Sequence, residues 1–372
     1  MRKYGNDLEK IEKDGLTRVL PVRRLEMLEF SSNDYLGLAD HPLLKEASIR
    51  AIELYGSSVA ASRLMSGNIA LHEELEIRLA RQTGMEAALL FGSGFLANTG
   101  LLSSIASRND IVFSDKLNHA SLVDGALLSR AGVFRYRHGD MDHLEYFLAN
   151  RNCGGNRFIV TDSLFSMDGD IAPLRKLEQL SKRYNCSLIV DEAHAIGIFG
   201  NGGGVCREYD VRPHAIIGTL SKAMGSYGGF VAGNADMKRF LINRARTFMY
   251  STGLPPAAPA AALKAIDIIE SEPDLGRKLL EKASNFRGMI ESSGFSTAPS
   301  ESQIVPVQMG ENHRAVALSD YLKTENISAV AIRPPTVPEG TARVRLSVTL
   351  RHSPEDLYHT AEVLNFINGA IH

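Results

Sequence analysis

The middle of the chain alternates short apolar runs with amphipathic segments. The apolar runs have the length of strands, and the segments between them repeat apolar residues at helical spacing. Such alternation favours a largely parallel sheet with helices on both faces. The last run follows a short glycine-rich turn, so we predict it to be the one antiparallel strand. The predicted strands are residues 87–91, 111–114, 133–136, 158–161, 188–191, 215–219 and 230–232, and the helices include 95–107, 121–130, 141–150 and 173–184.

The two ends of the chain follow other patterns. A short charged helix is predicted over 7–20, a helix over 42–55 with proline at its start and glycine just past its end, and a helix that ends at Gly84. We therefore expect an α/β protein in which an N-terminal segment (1–42) and a large domain with a seven-stranded sheet (43–272) precede a small α+β domain (273–372). The remaining predicted elements are helices at 257–270, 275–292, 312–325 and 355–370 and strands at 304–308, 328–332 and 344–348.

Composition narrows the class of protein. The chain has 372 residues, of which 44% are hydrophobic and 23% charged, as in ordinary globular proteins, and the length suggests one large and one small domain. A net charge of −2 indicates neither a nucleic-acid nor a membrane surface. No apolar run reaches membrane-spanning length, and the charged N-terminus lacks a secretory signal. Three cysteines without C-x-x-C spacing indicate neither disulfides nor zinc. We expect a cytoplasmic protein without a metal.

Polar groups collect where the predicted strands end, which is where open parallel sheets bind ligands. The segment 92–95, G-S-G-F, follows the first strand and opens a helix whose free N–H groups suit a phosphate. Any one such group could be a helix cap or a buried polar residue, but five strand ends of this kind are hard to explain by capping alone. The other four carry N-H-A-S (118–121), S-M-D-G (166–169), D-E-A-H (191–194), and Thr219 with Lys222.

Lys222 stands just past a short apolar strand and is flanked by hydroxyl residues and glycines. A partly desolvated amine at such a place can lose its proton and form a Schiff base. Most single lysines are surface charges, so the interpretation depends on the neighbouring motifs. A lysine, an acid at an earlier strand end and a site for one phosphate together predict pyridoxal phosphate as the cofactor.

Each residue of this set has an expected role. Lys222 would hold the cofactor as an imine and move protons at the substrate α-carbon. Asp191 would keep the pyridine nitrogen protonated, because a nearby negative charge favours the cationic form. His119 would stack on the ring, so that Lys222, Asp191 and His119 form the catalytic set. The other expected cofactor contacts are Ser166 and His194 at the ring hydroxyl, and Ser93, Gly94, Phe95 and Thr219 at the phosphate.

Three alternatives remain at this point. The segment 92–97 fits the dinucleotide fingerprint G-x-G-x-x-A, with only Asp110 and Asp115 nearby as the ribose acid, which would suit an NAD-dependent dehydrogenase. The letters D-E-A-H at 191–194 also spell a helicase box, but the phosphate loop that helicases require is missing from the sequence. A non-catalytic cofactor-binding subunit of a heterodimer is opposed by the intact lysine, aspartate and histidine set.

Taken together, the motifs resemble the α-oxoamine synthases, fold-type-I enzymes of the class-II pyridoxal-phosphate aminotransferase family. The resemblance implies a decarboxylating Claisen condensation of an amino acid with an acyl-CoA in a homodimer with shared active sites. It also implies that Thr252 reaches the cofactor phosphate of the partner subunit. The motifs that carry it span nearly the whole chain: S-S-N-D-Y-L-G-L (31–38), S-G-F (93–95), N-H-A-S (118–121), F-S-M-D-G-D (165–170), V-D-E-A-H (190–194), T-L-S-K (219–222) and Y-S-T-G-L-P-P (250–256).

Within that family, the C-terminal motifs are similar to members that join L-alanine to a pimeloyl thioester. These motifs are A-I-R-P-P-T-V-P (331–338) and G-T-A-R-V-R (340–345), and members that use glycine usually differ across R-P-P-T. Two segments depart from the family pattern, G-S-S-V-A-A-S-R at 56–63 and L-T-R-V-L-P at 16–21. The resemblance implies that Arg345 pairs with the substrate carboxylate, a task suited to a guanidinium fork. It also implies substrate contacts from Arg18, which would face the acyl chain, and from Asn33, His119 and Thr336.

Overall fold

The computed structural model describes residues 2–13, 16–18, 20, 22, 24 and 26–371. The strands in this part of the chain are β1 (Leu28–Glu29), β2 (Ala87–Phe91), β3 (Ile111–Asp115), β4 (Gly132–Tyr136), β5 (Arg157–Asp162), β6 (Ser187–Asp191), β7 (Ala215–Thr219), β8 (Gly229–Gly233), β9 (Ile304–Gly310), β10 (Ile327–Ser328), β11 (Val330–Ile332) and β12 (Ala342–Ser347). The helices are α1 (Arg2–Lys13), α2 (Pro42–Tyr55), α3 (Ala70–Thr83), α4 (Gly94–Ile105), α5 (Ala120–Ser129), α6 (Met141–Asn150), α7 (Leu174–Arg183), α8 (Val205–Glu208), α9 (Ala235–Arg244), α10 (Arg246–Met249), α11 (Ala257–Ser271), α12 (Leu275–Ser292), α13 (Asn312–Thr324) and α14 (Pro354–Ile371).

The central sheet has seven strands in the order β2-β8-β7-β6-β5-β3-β4. Strand β8 runs antiparallel to both of its neighbours, and the other strand pairs are parallel. The reversal follows from the short connection between β7 and β8, which is too short for a crossover helix. The prediction of an α/β fold with a mostly parallel seven-stranded sheet is therefore confirmed.

Both faces of this sheet are covered. Along β2, Ala88 and Leu90 join one buried apolar cluster, whereas Leu89 and Phe91 join the other. Successive side chains of a strand point to opposite faces, so a continuous apolar run supplies both clusters. The strands are thus fixed by burial on two sides, and their carboxyl ends form a rigid edge.

The C-terminal part builds its own three-stranded antiparallel sheet, in the order β11-β12-β9. The N-terminal segment joins this part, because β1 pairs in parallel with β10 and the Ser347 N–H donates to the Phe30 carbonyl at 2.8 Å. The boundary at residue 272 stays a prediction; the seven-stranded sheet lies before it and the three-stranded sheet after it.

Some elements differ from the sequence pattern. Helix α1 spans Arg2–Lys13 instead of 7–20, and part of the predicted helix lies outside the described residues. The predicted strand 328–332 is divided between β10 and β11, which pair with different partners. Helices α9 and α10 lie where the pattern predicts no element, although Asn234 caps α9 by accepting from the Met237 N–H at 2.8 Å. Within the described ranges, every helix is too short or too polar to cross a bilayer.

Candidate active site

Three neighbouring strands bring the predicted site residues to one edge of the central sheet. Asp162 at the end of β5 lies in register with Asp191 at the end of β6, and Asp191 lies in register with Ile217 of β7. Lys222 follows β7 after a two-residue connection, Leu220 and Ser221. The predicted convergence of Asp191, His194 and Lys222 is present in the structure, because parallel strands end on the same side.

The Lys222 amine lies against a histidine. Its Nζ is 2.9 Å from His194 Nε2. Burial lowers the pKa of Lys222 to about 8, although the Asp191 and Asp162 carboxyls act in the opposite direction. An ordinary lysine is fully protonated at neutral pH, whereas this amine titrates close to it. Lys222 can therefore serve both as a nucleophile and as a base that takes and returns a proton.

His194 is connected through Tyr35 to Arg345. The Tyr35 hydroxyl is 2.7 Å from His194 Nδ1 and accepts a hydrogen bond from Arg345 Nη2 at 3.0 Å. Arg345 Nη2 also donates to Asn33 Oδ1 at 3.0 Å. Burial, together with the charges of Lys222 and Arg345, lowers the pKa of His194 well below its usual value, so the ring is neutral. The sequence analysis singled out Asn33 and Arg345 but missed Tyr35, which stands in the same S-S-N-D-Y-L-G-L motif.

Asp191 is a buried carboxylate held by neutral donors. Asn98 Nδ2 donates to its Oδ2 at 2.6 Å, and the Ala193 N–H donates to its Oδ1 at 2.8 Å. Burial and the adjacent Asp191 charge raise the pKa of Asp162 well above its usual value. Two carboxyl groups so close together disfavour the simultaneous ionisation of both. The sequence analysis missed Asn98 and Asp162; the position of Asp162 at a strand end was the available signal.

The turn before α4 has the form of a phosphate site. Ser93 Oγ accepts from the Leu96 N–H at 3.2 Å, while the N–H groups of Gly94 and Phe95 have no partner within their helix. A Cβ added to Gly94 would lie 3.4 Å from Thr219 Cβ, and one added to Gly229 would lie 2.5 Å from Gly94 N. The predicted phosphate contacts at 93–95 and Thr219 thus lie together, and the Ser93 hydroxyl also serves as a helix cap.

Two predicted contacts lie next to this cluster through their backbone. The His119 N–H donates to Asp162 Oδ2 at 2.8 Å, and its exposed ring has Nδ1 2.7 Å from Ser121 Oγ. The Ser166 carbonyl accepts from Arg345 Nε at 2.6 Å. Both residues are therefore positioned at the site, and their roles toward a cofactor stay predictions.

Three predicted contacts lie elsewhere. Arg18 Nη2 donates to Thr336 Oγ1 at 3.2 Å, so these two exposed residues contact each other. Thr252 is exposed and forms an isolated bridge with Ser62. The Gly253 N–H donates to the Ala61 carbonyl at 3.0 Å, which ties the 250–253 segment to the 56–67 loop.

The arrangement fits pyridoxal phosphate. It offers a buried amine, a turn with unpaired N–H groups, and a buried carboxylate that no cationic side chain contacts within the described ranges. A protonated pyridine nitrogen would give Asp191 the positive partner that a buried charge needs. Among the same residues, no group of His, Cys, Asp and Glu side chains has the geometry of a metal site.

Comparison with known proteins gives consistent results. The sequence model for class I and II aminotransferases matches residues 26–364. The putative 8-amino-7-oxononanoate synthase of Geobacillus kaustophilus is 47% identical over 354 residues, which cover 94% of this chain and 90% of that protein. The 8-amino-7-oxononanoate synthase of Geobacter sulfurreducens is 45% identical over 372 residues, which cover 96% of this chain and 95% of that protein.

Solved structures are similar as well. A serine palmitoyltransferase with pyridoxal phosphate has a TM-score of 0.92 at 26% identity and covers 99% of this chain and 97% of its own. An 8-amino-7-oxononanoate synthase from Francisella tularensis has a TM-score of 0.79 at 28% identity and covers 92% of this chain and 98% of its own.

Proposed function

The chain belongs to the class I and II aminotransferase family, and from this premise we propose that it condenses L-alanine with pimeloyl-CoA or pimeloyl carrier-protein thioester. The products would be 8-amino-7-oxononanoate, the free thiol and carbon dioxide, and the reaction belongs to biotin biosynthesis. The cofactor is pyridoxal 5′-phosphate, which supplies an electron sink for negative charge at the substrate α-carbon. We expect the enzyme to act in the cytoplasm.

The observation that supports this proposal best is the position of the Lys222 amine. It lies 2.9 Å from His194 Nε2, has a pKa of about 8, and shares one sheet edge with Asp191. Lys222 would anchor the cofactor and then remove and return the proton at the α-carbon. Asp191 would favour positive charge at the pyridine nitrogen, and the N–H groups of Gly94 and Phe95 would bind the phosphate.

Arg345 would orient the amino acid by its carboxylate. The guanidinium is buried and fixed by the Ser166 carbonyl and the Ser347 hydroxyl, at 2.6 and 2.8 Å. Its Nη2 reaches Asn33 Oδ1 and the Tyr35 hydroxyl and so points toward the Lys222 network. These bonds use four of the five guanidinium N–H groups, so the carboxylate would bind through the remaining Nη1 N–H and the fixed positive charge, which would orient the α-proton toward the base.

We further propose a homodimer with shared active sites, in which Thr252 reaches the partner's cofactor phosphate. The exposure of Thr252 and its attachment to the 56–67 loop support a contact outside its own subunit. Arg18 and Thr336, which contact each other, would line the approach of the acyl chain.

Release of free thiol by purified protein with pyridoxal phosphate tests the function. One reaction contains L-alanine and pimeloyl-CoA, and the other contains glycine and acetyl-CoA. We expect release only in the first. Thiol release only in the second reaction would make the protein a glycine-using α-oxoamine synthase. No thiol release in either reaction, with the cofactor bound, would refute both substrate pairs. NAD binding without thiol release would instead favour an NAD-dependent dehydrogenase.

A further inference from the structure

The Tyr35 hydroxyl occupies the centre of the network that links Arg345 to Lys222. Tyr35 is fully buried, at 0% exposure, and its ring stands between the C-terminal part and the central sheet edge. Its oxygen has three close hydrogen-bond partners, His194 Nδ1 at 2.7 Å, Asn33 Oδ1 at 3.0 Å and Arg345 Nη2 at 3.0 Å, and the Gln303 side chain lies near enough to influence its pKa. Each neighbour restricts the hydrogen bonds that the others can form.

Hydrogen counting leaves two arrangements at this oxygen. Arg345 can only donate, so it uses one lone pair of the hydroxyl. In the first arrangement, the Tyr35 O–H donates to His194 Nδ1. In the second, the O–H donates to Asn33 Oδ1, and the hydroxyl accepts from an N–H at His194 Nδ1. Both give the Tyr35 hydroxyl, His194 Nδ1 and Asn33 Oδ1 a partner, since Arg345 Nη2 also donates to Asn33 Oδ1.

The two arrangements give opposite roles to the ring nitrogen that faces Lys222. His194 is neutral and carries a single ring N–H. When Nδ1 accepts from Tyr35, Nε2 carries the proton and donates to an uncharged Lys222 amine. When Nδ1 donates, Nε2 accepts from the Lys222 ammonium. Rotation of one hydroxyl therefore matches the histidine to either form of the lysine.

We propose that Tyr35 is a positioning residue that allows His194 to hydrogen-bond both protonation states of the Lys222 amine without moving its ring. The inference deepens the proposed function and rests on it, because a lysine that takes and returns a proton must exist in both states during one turnover. Asn33 completes the device by accepting the tyrosine proton when histidine does not. A phenylalanine could neither donate nor accept.

The surroundings allow both states near neutral pH. The ionisable groups that interact with Lys222 come from four parts of the chain: Asp191 and His194 at and after the end of β6, Asp162 at the end of β5, His119 before α5, and Arg345 in β12. Burial and Arg345 disfavour the ammonium, while the carboxyl groups favour it, and the pKa of Lys222 lies at about 8. The hydrogen bonds around Tyr35 must therefore accommodate a Lys222 amine that is mostly charged below about pH 8 and mostly neutral above it.

The test uses the cofactor-free protein, labelled with nitrogen-15 in its histidines. The His194 signals are assigned by their loss in His194→Gln, and the ring shifts are followed from about pH 6 to 10, which spans the Lys222 pKa. We expect the proton to move from Nδ1 to Nε2 as Lys222 loses its charge. Lys222→Met should abolish this response, and Tyr35→Phe should lock His194 in one tautomer. A wild-type protein without the response, or a Tyr35→Phe variant that responds as wild type does, would overturn the proposal.

Tyr184→Phe is the matched control. This variant removes a hydroxyl that donates to Glu145 Oε1 at 2.9 Å. Tyr184 directly follows α7, at the edge of the sheet opposite to Lys222, so the His194 titration should match that of the wild-type protein. Because this titration needs neither cofactor nor substrate, its outcome does not depend on which substrates the enzyme accepts.

Kinetics give a second readout. Tyr35→Phe leaves Arg345 bonded to Ser166, Ser347 and Asn33, so the KM for L-alanine should change little. The kcat should fall about tenfold, as for the loss of one buried hydrogen bond. A change confined to KM would assign Tyr35 to carboxylate binding and refute its role toward Lys222.

Discussion

At the scale of single residues, the charge of each group at the site is set by its neighbours. Asp162 and Asp191 end adjacent strands, and burial together with the Asp191 charge raises the pKa of Asp162 well above its usual value. His194 is held neutral between two cations, and Lys222 titrates at about pH 8. The site therefore presents two adjacent carboxyl groups, one neutral imidazole and one amine that titrates near neutral pH, and such groups can take part in proton transfer.

Replacement of Arg345 by lysine tests the carboxylate contact. Lysine retains the charge but loses the fork that a carboxylate matches, so we expect Arg345→Lys to raise the KM for L-alanine by about 10- to 100-fold. Thiol release with varied alanine concentration measures this. Arg314→Lys on the exposed face of α13 is the control. An unchanged KM in Arg345→Lys would place the carboxylate elsewhere.

The sequence predicted the proximity of site residues where a motif follows a strand, while the roles of these residues stay predictions. Lys222, Asp191 and His194 were placed by that rule, and the structure brings them together. Tyr35 and Asn98 were missed because their contacts join positions 159 and 93 residues apart, to His194 and Asp191 respectively. No local pattern encodes such pairs; only the packed fold shows them.

At the scale of elements, the apolar runs located the central strands to within one or two residues. Strands buried on both faces have continuous apolar sequences that stand out from their flanks. The β10–β11 division was missed because both strands belong to one apolar stretch, and the break at Ala329 depends on which neighbours each half meets. Helix α9 was missed because its sequence is polar and only Leu241 is buried.

The contact between β8 and the turn before α4 should control cofactor affinity. Gly229→Ala would place a Cβ 2.5 Å from the backbone of Ser93 and Gly94, so the turn must shift. We expect pyridoxal phosphate to bind at least about tenfold more weakly, equivalent to the loss of one or two phosphate hydrogen bonds. Gly288→Ala on α12 meets nothing within 4 Å and serves as the control. Equal affinity for both variants, measured by fluorescence titration, would contradict this prediction.

His138 joins two loops at the same edge of the sheet. Its Nδ1 lies 3.0 Å from Asp115 Oδ1 at the end of β3, and its Nε2 lies 2.8 Å from Asp170 Oδ2 beyond β5. Burial disfavours the charged ring, but the two carboxylates outweigh it and raise the pKa of His138 to about 10. The ring is therefore charged at neutral pH and fixes the loop that carries Ser166.

This pair of contacts predicts a pH-dependent stability. The folded pKa lies above the unfolded value, so the stabilisation is complete below about pH 6.5 and is lost as the pH rises through 10. His138→Gln should lower the free energy of unfolding by about 3 kcal/mol at pH 6, and the difference should shrink toward pH 10. Urea unfolding at pH 6, 8 and 10 measures it, with the exposed His359→Gln as control. A difference that is constant with pH would refute the charged state of His138.

At the scale of the whole molecule, the site lies where three parts of the chain meet. The central sheet supplies Lys222 and Asp191, the C-terminal sheet supplies Arg345, and the N-terminal segment supplies Asn33 and Tyr35. Pairing of β1 with β10 attaches the N-terminal segment to the C-terminal part. In the proposed function, substrate recognition by Arg345 and proton transfer by Lys222 would therefore be carried by different parts, which the Tyr35 hydroxyl connects.

Hybrid dimers test the proposed sharing of active sites. Lys222→Ala should inactivate its own site, and Thr252→Glu should repel the phosphate of the partner's cofactor. Each homodimer should be inactive, whereas a hybrid of the two variants has one site with neither defect. An equal mixture should recover about a quarter of wild-type thiol release, because half of the dimers are hybrids with one good site of two. Hybrid dimers that form, as shown by two different tags, but remain inactive would place Thr252 outside the partner's site.

The central claim is that Lys222 carries the cofactor, and peptide mapping of the reduced holoenzyme tests it most directly. Borohydride fixes the bond between cofactor and amine, and mass spectrometry then locates the modified lysine. We expect the label on the peptide that contains Lys222. The label should be absent from the Lys222→Ala variant and present in the Lys278→Ala variant, in which an exposed lysine is replaced as the control. A label on another lysine in the wild-type protein would contradict the claim.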